Sequence, residues 1–118
     1  MKQASKDLSR EQIERIKVKR REFLVRIAGG NRERFALEWE RQISFWLHEI
    51  HQEAAGGSMT GRSVFDVVRE AKALLAACGE SAVREQGKRT IDILNNECCR
   101  MIAPMMGAGV YRMNAYLG

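Results

Sequence analysis

The chain has 118 residues, 45% of them hydrophobic, a net charge of +5 and three cysteines, which suffices for one domain with a modest core. The longest apolar run, Ala73 to Cys78, is too short to cross a bilayer, and a polar start at Met1–Asp7 reads as no secretory signal. A single proline and clustered glycines argue against many short strands with turns, and an Ala-, Leu-, Glu- and Arg-rich stock favours helix.

Residues 1–8 are expected to be a flexible N-terminus. Ser9-Arg10-Glu11-Gln12 fits a capping box, and Ile13, Ile16, Phe23 and Ile27 then recur at helical spacing with Leu24 beside them. Gly29-Gly30 stop this first helix, and Asn31 caps the next. The basic excess lies here. Residues 1–34 hold eleven Lys/Arg against five Asp/Glu, and the remainder holds nine against ten.

The densest basic run is Lys17-Val18-Lys19-Arg20-Arg21. Glu11–Arg15 and Glu22–Arg26 are expected to pair at i,i+4, but Lys17, Lys19, Arg20 and Arg21 still outnumber the carboxylates within reach along the helix. This pattern suits an anionic partner, nucleic-acid phosphate or an acidic protein surface, and it equally suits a solvated helix face. Arg20 falls between Ile16 and Phe23 on the otherwise apolar face. There it either snorkels to solvent or meets a carboxylate or phosphate.

From Arg32 to about Ala54, Phe35, Trp39, Ile43, Trp46 and Ile50 make the strongest amphipathic stripe of the chain. Near its end, His48 and His51 are three residues apart and share a helix face. Two ligands do not make a metal site, and the pattern is not H-E-x-x-H. Residues 56–62 form a Gly-rich joint. Gly56 and Gly61-Arg62-Ser63 imitate a phosphate loop, but the true motif needs a preceding strand and a lysine where Arg62 stands. The joint is therefore read as a helix–helix connection, with Ser63 capping the third helix.

That helix carries Val64, Val68, Ala71, Leu75 and Cys78, and Gly79 ends it. A fourth, about Ser81 to Ala103, places Val83, Gly87, Ile91, Leu94, Cys98 and Met101/Ile102 on one face. A neighbouring helix coming close would account for Gly87 there. A helix-turn-helix centred on Gly79 fails, because Glu85 occupies the position that should be buried. Pro104 is expected to break the helix. Residues 104–118 then form a C-terminal appendage in which Met105, Met106, Tyr111, Met113 and Tyr116 suit a protein-partner surface or close the end of the bundle. Adjacent Cys98 and Cys99 do not suit a disulfide, so free thiols in a reducing, cytoplasmic setting are expected.

The expected fold is all-α: an antiparallel helical bundle of about four helices, 1–118 forming one domain, with a short C-terminal helical appendage. The expected function is a non-catalytic regulatory or adaptor module that acts by protein–protein interaction or as a homo-oligomer. The alternative is nucleic-acid binding through the basic helix 10–28, and more remotely an enzyme. No cofactor, metal or membrane partner is expected.

Overall fold

The structure, a computed structural model, describes residues 9–56 and 62–106. The appendage beyond Met106, with Tyr111, Met113 and Tyr116, lies outside the described residues, as do the side chains of Met105 and Met106. So do residues 1–8 and most of the Gly-rich joint.

Helix α1 spans Arg10–Ala28. Its capping box forms as expected: the Gln12 amide donates to Ser9 Oγ at 3.1 Å and the Ser9 amide to Gln12 Oε1 at 2.8 Å. Gly29 ends it. Helix α2, Arg32–Ala55, is capped by the Asn31 side chain, which accepts from the Arg34 amide at 3.0 Å. Phe35, Trp39, Ile43, Trp46 and Ile50 are all buried, as their spacing required. Phe35 stacks on Trp39, and Trp39 meets Trp46 edge-on with ring centroids 5.5 Å apart. Losing one such buried ring costs about 3–5 kcal/mol, against the roughly 5–15 kcal/mol by which a whole domain is stable.

Helix α3 spans Arg62–Cys78, so it is already in place one residue before the serine expected to cap it. Gly79 alone joins α3 to the next helix. Its φ of +112° and ψ of 173° are a combination open only to glycine. The chain then runs through α4 (Glu80–Ala82), a π-helical turn (Val83–Gly87) and α5 (Lys88–Met106).

The π turn corrects the expected stripe of the fourth helix. It admits one residue too many per turn, so the buried positions step from Ala82 to Gly87, five apart, and then to Thr90, Leu94 and Cys98. Val83 is pushed out and is 46% exposed, while Ile91 is only half-buried. No neighbouring helix presses on Gly87: a methyl group there would meet only Val83 Cγ1, at 3.7 Å. Pro104 does not stop the helix either, since α5 continues to Met106. Proline removes one N–H donor and crowds the carbonyl four residues back, which near a helix end leaves room for two more helical residues.

The fold is an all-α bundle. Its arrangement is a flattened diamond. α2 and α3 pack together at the centre, α1 packs against both from one side, and α5 packs against both from the other. α1 and α2 are antiparallel, as Lys17–Glu49 and Arg20–Gln42 show. α2 runs in the same direction as the π turn and α5: Arg32 meets Glu85 of the π turn, and Trp39 and His51 meet Thr90 and Glu97 of α5. The core lies between α2, α3 and α5. Among the described residues of α1, only Leu24 is fully buried.

Candidate interaction surfaces

α1 fastens to the core through a polar seam. Lys17 Nζ lies 2.5 Å from Glu49 Oε2 on α2. Burial of the ammonium opposes its charge, but the hydrogen bond to Glu49 and the charges of Glu49, Glu70 and Glu14 outweigh this and raise the Lys17 pKa. Arg20 reaches across to α2 with its whole guanidinium. One nitrogen sits 3.3 Å from Glu38 Oε1, another donates to the Glu38 carbonyl at 3.0 Å, and Nε donates to Gln42 Oε1 at 3.2 Å. Arg21 pairs with Glu70 on α3.

Three of the four basic residues that the sequence nominates for an anionic partner are thus engaged by carboxylates of neighbouring helices. Only Lys19 stays exposed with no carboxylate within 4.0 Å among the described residues. Arg20, the cation on the apolar face, meets a carboxylate inside the bundle.

The expected i,i+4 pairs Glu11–Arg15 and Glu22–Arg26 do not close within 4.0 Å. Arg26 turns to the Phe23 ring instead, with its guanidinium carbon 5.7 Å from the centroid. Arg34 from α2 approaches the same ring at 5.5 Å, and Arg20 does so at 5.9 Å while also lying 5.3 Å from Phe45. Neither Arg26 nor Arg34 has a carboxylate within ion-pair distance among the described residues. Phe45 is 57% exposed. Sequence reading missed this cluster, because its members come from two helices; the signal available was the spacing of Lys19, Phe23 and Arg26 along one face of α1.

A second surface lies on the other flank of α1. Val18 and Val25, each 39% exposed, face Ala73, Leu74 and Ala77 of α3 across a groove of about 490 Å³. Arg21, Glu22, Arg26 and Glu70 stand along its edges. Ile13 and Ile16, expected in the apolar stripe, are also exposed, at 41% and 56%. The stripe continues past the point where α2 and α3 cover it.

The other nominated groups are placed as follows. His48 is exposed, and His51 Nε2 lies 2.5 Å from Glu97 on α5. No group of three or more His, Cys, Asp or Glu side chains suited to a metal occurs among the described residues. A helix, α2, precedes the Gly-rich joint where a phosphate loop needs a strand. Cys98 is fully buried, donates to the Val64 carbonyl at 3.3 Å, and burial pushes its thiol up to about 12. Burial likewise raises Cys78, to about 11. Burial of both thiols disfavours the thiolate that a cysteine nucleophile requires. No described helix is long and apolar enough to cross a membrane.

No known protein family, curated protein or solved structure matches this chain.

Proposed function

We propose that the protein is a non-catalytic helical module that works by association, and that it self-associates through α1. The observation that carries this reading is the exposure of Val18 and Val25 over an apolar groove between α1 and α3. Apolar side chains left in water along a groove favour a second surface that covers them.

The groove suits a second copy of the same chain. Val18 and Val25 are seven residues apart, with Arg21 and Glu22 midway between them. A two-fold axis passing there sets Val18 of one copy against Val25 of the other and Arg21 against Glu22. Every contact is then made twice with opposite charges facing, as an isologous interface requires.

The test is the size of the protein in solution by sedimentation, at low and at high salt. The expected result is a dimer that persists in high salt, because burial of apolar surface is insensitive to screening. Val18→Glu and Val25→Glu, both at exposed positions, should give monomers with unchanged helical content. A wild-type protein that is monomeric under both conditions overturns the reading.

A further inference from the structure

We propose that the outer face of the α1–α2 hairpin binds single-stranded nucleic acid, through a cationic–aromatic platform that shares Lys19 and Arg20 with the basic run the sequence nominates and adds Phe23, Arg26, Arg34, Arg41 and Phe45. The platform is built in two rows. On α1, Lys19, Phe23 and Arg26 succeed one another at i, i+4 and i+7 and so share a face. On α2, Arg34, Arg41 and Phe45 do the same at i, i+7 and i+11. The rows are joined from both sides: Arg34 crosses from α2 to the Phe23 ring, and Arg20 crosses from α1 to the Phe45 ring.

The charge of this face is left unbalanced. Two carboxylates stand on it: Glu38, whose side chain is only 13% exposed and which is shared between Arg20 and Arg41, and Glu22, exposed between Lys19 and Arg26 on α1 and paired with neither within 4.0 Å. Lys19, Arg26 and Arg34 have no carboxylate within 4.0 Å among the described residues. The guanidiniums of Arg26 and Arg34, held over the Phe23 ring, keep their charge and make no ion pair among the described residues, whereas that of Arg20 is already engaged by Glu38 and Gln42. Arg26 and Arg34 stand ready for phosphate oxygens, which guanidinium meets in bidentate fashion.

The aromatic half of the platform decides the class of polyanion. Phe45 is 57% exposed beside a guanidinium, the arrangement on which an unpaired base stacks. A duplex hides its bases from such a ring and is read by an element entering a groove, whereas this face is the side of a two-helix layer. An anionic lipid surface would take the cations and accept an exposed ring as well, so vesicle binding is one outcome of the test. DNA and RNA single strands offer the same phosphates and bases, so both belong to the proposal.

The test is titration of wild type and three variants with an oligothymidylate and an oligouridylate of about 16 nucleotides, from about 50 to about 200 mM salt. Lys19→Gln with Arg34→Gln removes two free cations that make no ion pair, so the fold is spared. It should weaken binding and flatten the plot of log affinity against log salt by up to about 1.4, since each phosphate contact on a single strand contributes about 0.7. Phe45→Ala should weaken binding about 5- to 150-fold and leave that slope unchanged, because stacking carries no counterion. Lys72→Gln with Arg84→Gln, an equal change of charge at exposed positions elsewhere, should leave binding as it is.

Absence of binding at the lowest salt overturns the proposal. So does equal loss in both double variants, which would mean bulk charge alone. Equal affinity for a duplex, or binding to phosphatidylserine vesicles without binding to oligonucleotide, also overturns it, in favour of a phosphate-backbone or membrane-surface role. The dimer test at Val18 and Val25 is read separately, since Lys19, Arg34 and Phe45 do not line that groove.

Discussion

The indole Nε1 of Trp39 donates to Thr90 Oγ1 at 2.8 Å, and both side chains are wholly buried. This bond pins α2 to α5 inside the core and satisfies the polar atom that the largest core residue brings with it. Replacing Thr90 by Val keeps the shape and leaves the indole N–H unpaired, at a cost of about 1–3 kcal/mol. The cost should shrink when Trp39 is already Phe, because no donor then remains to be stranded. Equilibrium denaturation of the four members of that cycle measures the coupling; additive effects would mean the bond contributes nothing of its own.

Arg20 makes contacts that a lysine cannot reproduce. Its guanidinium bonds Glu38, the Glu38 carbonyl and Gln42 at once. Arg20→Gln should cost more than the roughly 0.5 kcal/mol of an ordinary surface change, and Arg20→Lys should fail to restore the loss, since an ammonium has no planar fork. Melting temperatures of the two variants check this. Equal stability of wild type and Arg20→Lys would show that only the charge matters.

Two glycines of the second half should respond in opposite directions to alanine. At Gly79, φ is +112°, and a side chain there costs on the order of 1–3 kcal/mol. At Gly87 the backbone is helical and a methyl meets only Val83 Cγ1 at 3.7 Å, an ordinary contact. Gly87→Ala should therefore stabilise the protein by up to about 1 kcal/mol through helix propensity. Thermal unfolding of both variants tests the pair, and a loss at Gly87 would mean that the π turn depends on the missing side chain.

Acid should loosen the contact between α2 and α5. The hydrogen bond from Arg100 to Glu97, with that of His51 second, holds the Glu97 carboxyl below its ordinary value of 4.5. Glu40, bonded to Arg89, is lowered in the same way. A carboxylate whose folded pKa is depressed contributes stability in full above its unfolded value, and loses it as pH falls through the folded one. Stability should thus fall below about pH 4.5, and Glu97→Gln should make that fall shallower. Chemical denaturation at several acidic pH values reads it; an unchanged profile would show that the exposed pair is screened to nothing.

Much of the framework was legible in the residues. The capping box at Ser9, the Asn31 cap, the break at Gly79 and the buried stripe of α2 from Phe35 to Ile50 follow from rules that act within one or two turns. What escaped depends on neighbours far along the chain. Arg20 and Arg21 find their carboxylates 18 and 49 residues away, on α2 and α3, where no helical spacing points. Periodicity marked Ile13 and Ile16 as apolar, but whether a helix covers an apolar face is decided by where its neighbours end. The π turn at Val83–Gly87 moved the buried position before it from Val83 to Ala82, a change of phase that a fixed period cannot register, while Gly87, Leu94 and Cys98 are buried where the spacing put them. Arg26 and Arg34 were hidden as a site because an arginine that chooses a ring over a glutamate leaves no trace in the pattern of charges.

The diamond arrangement sets an order of opening. α2, α3 and α5 share one apolar interior, whereas α1 packs chiefly on α2 and α3, fully buries Leu24 alone among its described residues, leans Phe23, Ile27 and Ala28 partly against the core, and adds the ion pairs of Lys17, Arg20 and Arg21. Detaching α1 exposes less apolar surface than opening the α2–α3–α5 interior, so it requires less free energy than unfolding the rest and can occur as a separate event. Amide hydrogens of Arg15–Ala28 should accordingly exchange with solvent well before those around Trp39, Ala71 and Leu94. Added salt should hasten the first group and spare the second, making α1 a detachable cover whose hold on the molecule is set by ionic strength.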